Sequence, residues 1–319
     1  MRQAVFGSRG NMIQADVIIP VYKPSEKLIR LLERLKAQTH PAGRIILINT
    51  EQKYFDAFTA GTDFKERFKD VLVKHISKKE FDHGGTRNYG VSLSKAPFFI
   101  LMTDDAIPAD DKMVEQLLKP FGDKKVGMSY ARQLAGKGSG DIESYTRNFN
   151  YPGESCVKSA ENLKTMGIKT FFASNVCAAY RRDIFDELKG FTSHTIFNED
   201  MIYARGLINA GYSIAYAAEA KVEHSHNYSG AGQFRRNFDL GVSHADYPEI
   251  FGGLSTESEG IRLVKKTCGY LCRQKKPYLV VKLFWQSGCK YGGYFLGKRY
   301  KYLPRKLVYL FSMNKGYWK

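Results

Sequence analysis

The sequence has few features of a secreted, disulfide-bonded protein. Its 319 residues include five cysteines, an odd number, and Cys268 and Cys272 are spaced wrongly for a zinc pair. The first 14 residues are polar and contain glycine, without the apolar stretch of a secretion signal. These absences indicate a reducing compartment, and we expect a cytoplasmic protein. With 43% apolar residues, the chain can bury a substantial core.

Acidic residues are missing from the C-terminal part of the sequence. Residues 261–319 hold 15 Lys and Arg and no Asp or Glu, whereas residues 1–260 hold 34 basic and 32 acidic residues. The net charge of +17 is therefore concentrated in one segment. Large aromatic and apolar side chains are interleaved with these cations, and this mixture suits the headgroup level of an anionic membrane.

No uncharged apolar run in this basic segment approaches the roughly 20 residues needed to cross a bilayer. We therefore predict that residues 251–319 form a basic amphipathic region that lies on a membrane surface without spanning it. A basic helical appendage packed on the rest of the chain is the alternative. RNA binding by the same cations and aromatic rings is a minor alternative.

Residues 1–250 alternate short β-branched runs with helical patterns, which is typical of a parallel sheet with crossover helices. We predict strands at 16–22, 44–49, 71–76, 98–102, 126–131, 169–180, 213–217 and 221–224. We predict helices at 26–38, 54–68, 84–95, 110–119, 182–188 and 198–210. The glycine-rich segment 133–153 is too irregular to assign and is interpreted as a loop. The sequence thus predicts one α/β domain, whose ligands bind beyond the carboxyl ends of the strands.

Two carboxylates, Asp104 and Asp105, directly follow the predicted strand 98–102. Mg²⁺ and Mn²⁺ prefer hard oxygen ligands, so this position fits such an ion, although acidic residues after strands are also common turn formers. His224 and His226 share one face of an extended segment, and one imidazole would complete a metal site begun by carboxylates. We prefer His224. The alternative is a histidine pair in the core or on the surface.

The segment HGGTRN (83–88) lies at a predicted strand-to-helix junction. Its two glycines allow close backbone approach, and Arg87 can donate two hydrogen bonds to phosphate oxygens. This pattern favours a phosphate or nucleotide contact, with an ordinary glycine turn as the alternative. It is neither a Walker loop nor a dinucleotide fingerprint.

Glu199 and Asp200 open the predicted helix 198–210. A carboxylate at a helix N-terminus is stabilised by the helix dipole, and capping is therefore one interpretation. The other is a general base: a hydroxyl that attacks an anomeric carbon must lose its proton, and one positioned carboxylate is sufficient.

The order of these motifs resembles that of glycosyltransferase family 2, whose members have the GT-A fold. The matching segments are ADVIIPVYKPSE, FDHGGTRNYG, FILMTDDAIPADD, FFASNVCAAYRRDIFDELKGF, FNEDMIYARGLINAGY and KVEHSHNYSGAGQFRRNFDLG. They span about residues 15–241 in the family's order. The pairing of HGGTRN with TDDAIP, and the HSHNYS segment before an arginine-rich stretch, look most like the bacterial rhamnosyltransferases of the family.

The resemblance implies a role for each matching residue. Asp105 corresponds to the principal metal carboxylate of an Asp-x-Asp motif and Asp104 to its middle position, while Thr103 stands where the first aspartate is usual. Asp200 corresponds to the catalytic base, with Glu199 beside it. Contacts to the nucleotide-sugar donor are implied for Pro20, Tyr22, Glu51, Arg87, Asn88, Ser174 and Asn175.

We therefore expect an inverting, metal-dependent glycosyltransferase that uses Mg²⁺ or Mn²⁺ and acts at the inner face of the cell membrane. Its expected donor is a nucleotide sugar, with L-rhamnose from dTDP-rhamnose preferred, and its expected acceptor is a lipid-linked glycan of cell-wall or surface polysaccharide synthesis. A sugar nucleotidyltransferase and a non-enzymatic membrane or nucleic-acid adaptor are the alternatives. Acidic residues clustered at strand ends would repel polyanions, so no nucleic-acid partner is expected. The sequence leaves homo-oligomerisation open.

Overall fold

A mixed β-sheet between layers of helices forms the body of the protein. The computed structural model describes residues 13–136, 138–225, 228–252 and 257–318. Within these ranges the strands are β1 (Ala15–Tyr22), β2 (Ile45–Thr50), β3 (Leu72–Ile76), β4 (Phe98–Met102), β5 (Ile107–Pro108), β6 (Val126–Leu134), β7 (Cys156–Lys158), β8 (Cys177–Arg181) and β9 (Ser213–Glu223).

Helices connect these strands and follow the last of them. They are α1 (Glu26–Lys36), α2 (Gln52–Thr59), α3 (Phe64–Arg67), α4 (His83–Ser92), α5 (Met113–Leu118), α6 (Asp141–Asn150), α7 (Leu163–Met166), α8 (Arg182–Glu187), α9 (Glu199–Asn209), α10 (Gly230–Asp246), α11 (Pro248–Phe251), α12 (Glu257–Arg273), α13 (Tyr278–Gly297) and α14 (Arg305–Phe311).

The described strands form one sheet in the order β3-β2-β1-β4-β8-β6-β9-β5, with β7 paired to β9. The first four strands of this order are parallel, whereas β8 runs antiparallel to both β4 and β6. Consecutive residues of β1 are buried on both faces: Val17 packs with α1 and α5, and Ile18 packs with the core that contains α8 and α9. Burial on both faces explains the continuous apolar runs of the sequence and confirms the α/β prediction.

The segment after β6 differs from the sequence prediction. Residues 141–150, placed in a loop by their glycine-rich surroundings, form helix α6. Its first turn carries Asp141 and Glu143, which favour a helix N-terminus. Tyr145 stacks on Tyr270 of α12 with ring centroids 4.6 Å apart. This tertiary contact lies 125 residues away in the sequence, so local composition could not predict it.

The predicted strand 169–180 is wrong over most of its length. A 3₁₀ helix covers Gly167–Thr170, and only Cys177–Arg181 pairs in the sheet as β8. The residues between them turn because the backbone N–H of Asn175 donates to Asp200 instead of to a neighbouring strand. An apolar run does not by itself distinguish a strand from a buried loop of this kind.

Two other element predictions need smaller corrections. The predicted helix 54–68 is two helices, α2 and α3, separated around Gly61, whose φ of 70° is unfavourable for most other residues. The two predicted strands after residue 213 are one strand, β9, whose pairing with β6 shifts register between Ala131 and Arg132. Because of this irregularity, the sequence pattern suggests two strands where the structure has one.

The C-terminal helices pack on the body through glycine. A Cβ at Gly293 of α13 would lie 2.1 Å from the carbonyl oxygen of Phe234 in α10, and one at Gly297 would lie 2.1 Å from that of Phe238. The absence of side chains at these positions lets the two backbones approach closely. The division of the chain at residue 250 stays a prediction.

Candidate active site

The carboxyl ends of the central strands open into a cavity of about 1220 Å³. Eight residues selected from the sequence line it: Arg87, Asp104, Asp105, Ser174, Asn175, Glu199, Asp200 and His224. We define the strand-end wall as the residues after β4, at the start of α9 and after β9, which are Asp104, Asp105, Glu199, Asp200 and His224. The lining residues of α6, α10 and α13 form the helical wall.

Strand pairing brings Asp105 and His224 together. β5 pairs antiparallel with β9 so that Ile107 lies opposite Glu223, which places the residue after β9 beside the turn after β4. The Nε2 atom of His224 lies 3.5 Å from Oδ1 of Asp105. Two side chains separated by 119 positions thus converge at one corner of the cavity.

Gln133 orients the imidazole of His224. Its Oε1 lies 3.0 Å from Nδ1 of His224 and also accepts a hydrogen bond from Arg147. A guanidinium only donates, so the Gln133 atom that faces it must be the oxygen, and the His224 Nδ1 must then carry the proton. In the neutral imidazole the lone pair of Nε2 then points toward Asp105, as in histidines whose second nitrogen binds a metal.

The pair of Asp105 and His224 fits a divalent cation that takes its remaining ligands from substrate and water. Among the described residues, no group of three or more His, Cys, Asp or Glu side chains is arranged to enclose an ion. Mg²⁺ sites in phosphoryl-substrate enzymes commonly use one or two protein ligands plus phosphate oxygens. His226, the alternative ligand, lies outside the described residues.

The environment of Glu199 keeps this carboxylate ionised. Its Oε1 lies 3.3 Å from Nη1 of Arg87 and accepts a hydrogen bond of 3.1 Å from Nδ2 of Asn175. Burial opposes ionisation, but Arg87, His83 and the Asn175 hydrogen bond together outweigh it and lower the pKa of Glu199. Glu199 is therefore a fixed partner of Arg87.

Asp200, the next residue, has the opposite balance. It accepts backbone hydrogen bonds from Asn175 (3.0 Å) and Met201 (2.8 Å), which hold its carboxylate in one orientation. Burial, followed by repulsion from Glu199, raises the pKa of Asp200 to about 7. A carboxylate whose pKa lies near neutral pH can both accept and release a proton, which is the property of a general base.

Comparison with known proteins decides the family. The model of glycosyl transferase family 2 matches residues 16–189, more than half of the chain. The chain belongs to glycosyltransferase family 2. The O-antigen chain rhamnosyltransferase RfbN of Salmonella typhimurium is 39% identical over 96% of both chains, and WbaN of Salmonella anatum is 38% identical over 95% of both.

A solved structure supports the fold of this family 2 member. The mannosyltransferase PcManGT from Pyrobaculum calidifontis, in complex with GDP-Man and Mn²⁺, superimposes with a TM-score of 0.54 at 13% identity, over 96% of this chain and 84% of that chain. The GT-A fold prediction is confirmed. The protein is a glycosyltransferase with relatives in O-antigen synthesis, and the nucleotidyltransferase and adaptor alternatives no longer apply.

Four residues selected from the sequence do not line the cavity of this glycosyltransferase. Both amide atoms of Asn88 bond the backbone of Phe191, at 2.8 and 3.0 Å, so its side chain is engaged in holding that turn. Glu51 accepts a hydrogen bond of 2.7 Å from the backbone of Lys78. Pro20 lies in β1, where it pairs with Ile48 of β2.

Tyr22 contributes to the site through its backbone, which forms a hydrogen bond with Asp104. Burial and the neighbouring Asp105 raise the pKa of Asp104 to about 6, and the Tyr22 hydrogen bond acts against that shift. The ring of Tyr22 is exposed and makes an edge contact with Tyr54, with centroids 5.6 Å apart. Tyr22 therefore acts on the cavity residue Asp104 through its backbone, and its side chain does not line the cavity.

The sequence prediction missed the helical wall. Its lining residues outside the predicted set include Arg147, Arg236, Lys282 and Lys290, and the prediction also missed Gln133 of β6 and Tyr151 after α6. The stretch QFRRNF contained a signal for Arg236, since two adjacent arginines lie shortly after HSHNYS. Nothing in the sequence places Lys290 at the cavity, because its position depends on the packing of α13 against α10.

No helix in the described part of the chain is long and apolar enough to cross a membrane.

Proposed function

We propose that this enzyme transfers a single sugar, with inversion, from a nucleoside diphosphate donor to a lipid-linked glycan in surface polysaccharide synthesis. L-Rhamnose from dTDP-rhamnose is the preferred donor because two relatives that match almost the whole chain are O-antigen chain rhamnosyltransferases. The observation that carries the proposal is that Asp105, His224 and Asp200 line one cavity.

Asp105 and His224 are the proposed ligands of Mg²⁺ or Mn²⁺. One carboxylate oxygen and one imidazole nitrogen 3.5 Å apart leave most of an octahedral shell to phosphate oxygens and water. When bound, the ion supplies positive charge that stabilises the departing diphosphate. The complex of PcManGT with Mn²⁺ makes manganese the first ion to test.

Asp200 is the proposed general base. The acceptor hydroxyl oxygen bonds to the anomeric carbon while the bond from that carbon to the diphosphate oxygen breaks, and the hydroxyl proton passes to Asp200. The two backbone hydrogen bonds fix the direction of the Asp200 carboxylate. Burial and repulsion from Glu199 raise its pKa to about 7. Glu199 does not compete for the proton because Arg87 holds it ionised.

The proposed site of action is the inner face of the cell membrane. α13 and the segment after it expose large apolar side chains beside numerous cations. The exposed apolar residues include Tyr278, Val281, Phe284, Trp285, Tyr291, Phe295, Tyr302, Leu307, Tyr309 and Leu310. Aromatic rings and cations together suit anionic headgroups, and α13 also lines the cavity, so a lipid-linked acceptor could reach the site from that surface.

A panel of nucleotide sugars tests the proposal. With Mn²⁺ present, dTDP-rhamnose is expected to raise the melting temperature of the wild-type enzyme by linkage and to yield transferred rhamnose with inverted configuration. Asp105→Ala is expected to lose most of the metal-dependent shift. Glu161→Gln, which changes an exposed acid far from the metal pair in sequence, is the control. Equal shifts for Asp105→Ala and the wild-type enzyme would refute the metal site, and no shift with any nucleotide sugar would refute the donor class.

A further inference from the structure

One face of α13 forms part of the cavity wall. Its lining residues include Tyr278, Lys282, Gln286 and Lys290, which recur every four positions and therefore form one stripe along the helix. α10 contributes Gln233 and Arg236 to the same wall. Polar and cationic side chains of α10 and α13 thus face the strand-end acids across the cavity, while α6 adds the acids Asp141 and Glu143 to the helical wall.

Three of the four cations named in this wall form no ion pair in the described part of the chain. Among the described residues, no ion pair or hydrogen bond joins Arg236, Lys282 or Lys290 to a carboxylate. Arg147 differs, since its Nε lies 3.5 Å from Glu143. The guanidinium carbon of Arg236 lies 4.7 Å from the ring centroid of Phe197, a cation–π contact that uses none of its N–H groups as hydrogen-bond donors.

Lys290 is partly buried and lines the same cavity as Arg236 and Arg147. Burial lowers the pKa of Lys290, Glu143 opposes that shift, and Arg236 and Arg147 add to it. Like charges held together in a half-buried wall are unfavourable unless an anion joins them. Glu143, the carboxylate that acts on Lys290, is already paired with Arg147, so the wall keeps an excess of positive charge that a bound anion would neutralise.

The N-terminus of α10 points to the same conclusion. This helix has 17 residues, and Ser229 and Gly230 at its start line the cavity. The hydroxyl of Ser229 caps one backbone N–H, that of Gly232, at 3.2 Å. The positive end of the helix dipole adds to the field of Arg236, which lies on the second turn of the same helix.

We propose that Arg236 and Lys290, with the exposed Lys282 beside them, form an anion subsite for a phosphate or diphosphate group of a substrate. This inference rests on the proposed function for the identity of that substrate. The phosphate belongs either to the nucleotide-sugar donor or to the link between the acceptor glycan and its lipid. Both sources present the same chemistry, which is a tetrahedral oxyanion recognised by a planar guanidinium and an ammonium group.

Binding of inorganic pyrophosphate, without metal, tests the subsite independently of any transfer reaction. Calorimetry should show binding to the wild-type chain and at least about tenfold weaker binding to Arg236→Gln and to Lys290→Gln, a loss of about 1.4 kcal/mol or more. Lys306→Gln, an exposed lysine of α14, is the matched control and should bind as the wild-type does. Absence of binding to the wild-type, or equal binding by all four proteins, would overturn the proposal.

Transfer kinetics then distinguish the two sources. If the acceptor phosphate occupies the subsite, Lys290→Gln raises KM for a phosphate-linked acceptor and leaves KM unchanged for the same glycan on a neutral alkyl chain. If the donor diphosphate occupies it, KM for the nucleotide sugar rises with both acceptors. Lys290→Arg, which keeps the charge, should restore most of the lost affinity in either case. Unchanged KM values for donor and acceptor in Lys290→Gln contradict the subsite.

Discussion

The strand-end wall and the helical wall of the cavity differ in charge and in how their charges are held. Glu199 and Asp200 of the strand-end wall are held by short-range hydrogen bonds and, for Glu199, by an ion pair. Arg236 and Lys290 of the helical wall have no carboxylate partner among the described residues. The first wall is organised before substrate arrives, and the second is completed by an anion. We infer that chemistry belongs to the first wall and charge recognition to the second.

Glu199 and Asp200, two of the acids in the strand-end wall, also differ in how their charges are held. Glu199 and Asp200 are adjacent, yet the pKa of one is lowered and that of the other is raised to about 7. Arg87 accounts for the difference in pKa, because its guanidinium forms an ion pair with the Glu199 carboxylate. Separation of two pKa values by environment is a common basis for assigning a base.

The largest expected effect is that of Asp200→Asn. Loss of the base should lower kcat by about 10²- to 10⁴-fold, with donor binding retained because Asp200 is not a proposed metal ligand. Initial-rate kinetics and calorimetric titration with the donor separate the two quantities. Normal turnover by the purified variant would refute the mechanism.

The same variant gives a stability signature. The pKa of Asp200 is raised from 3.8 to about 7 in the folded state, so the folded chain keeps a proton that the unfolded chain loses; stability falls as pH rises from about 4 to about 7 and then levels off. Asp200→Asn should therefore weaken the fall in melting temperature between pH 5 and 8. An identical pH dependence in both proteins would show that Asp200 does not titrate as described.

Glu199→Gln should act mainly on stability. It leaves the buried Arg87 without its anionic partner, and breaking such a pair typically costs about 3–5 kcal/mol. Urea unfolding of this variant, with the exposed Glu161→Gln as control, measures the difference. A loss no larger than that of the control would mean that the ion pair does not stabilise the strand-end wall.

The helical wall depends on close packing of α10 and α13. Gly293→Ala places a Cβ against the Phe234 carbonyl oxygen and should cost about 1–3 kcal/mol by overpacking. Gly288→Ala in the same helix meets nothing within 4 Å and should stabilise by about 0.5–1 kcal/mol through helix propensity. Unfolding curves that shift in the same direction would contradict the packing.

The strand-end wall could be predicted from the sequence, whereas the helical wall could not. Asp105 and Asp200 stand beside apolar or helical patterns, so local chemistry marks them. The position of Asp105 follows from the rule that strand ends share one edge of a sheet, whereas Asp200, at the start of α9, is held there by the backbone of Asn175. Lys290 has no such local mark, because its position depends on glycine contacts between α13 and α10.

The two segments whose secondary structure was predicted wrongly also depend on contacts between residues distant in sequence. Helix α6 is stabilised by Tyr270, more than 100 residues away, and the turn before β8 is held by Asp200. In both places a tertiary contact overrides the local pattern. The predicted donor residue Asn88 illustrates the reverse case, since a motif position is used to hold the Phe191 turn.

The pH dependence of kcat/KM for the acceptor, at saturating donor and metal, tests the central claim most directly. With Asp200 as the base and its pKa about 7, the rate should fall about tenfold per pH unit below 7 and level off above it. Glu199 contributes no inflection in this range because its pKa is lowered. A profile that stays flat from pH 8 down to about 5.5 would contradict the assignment of Asp200 as the catalytic base.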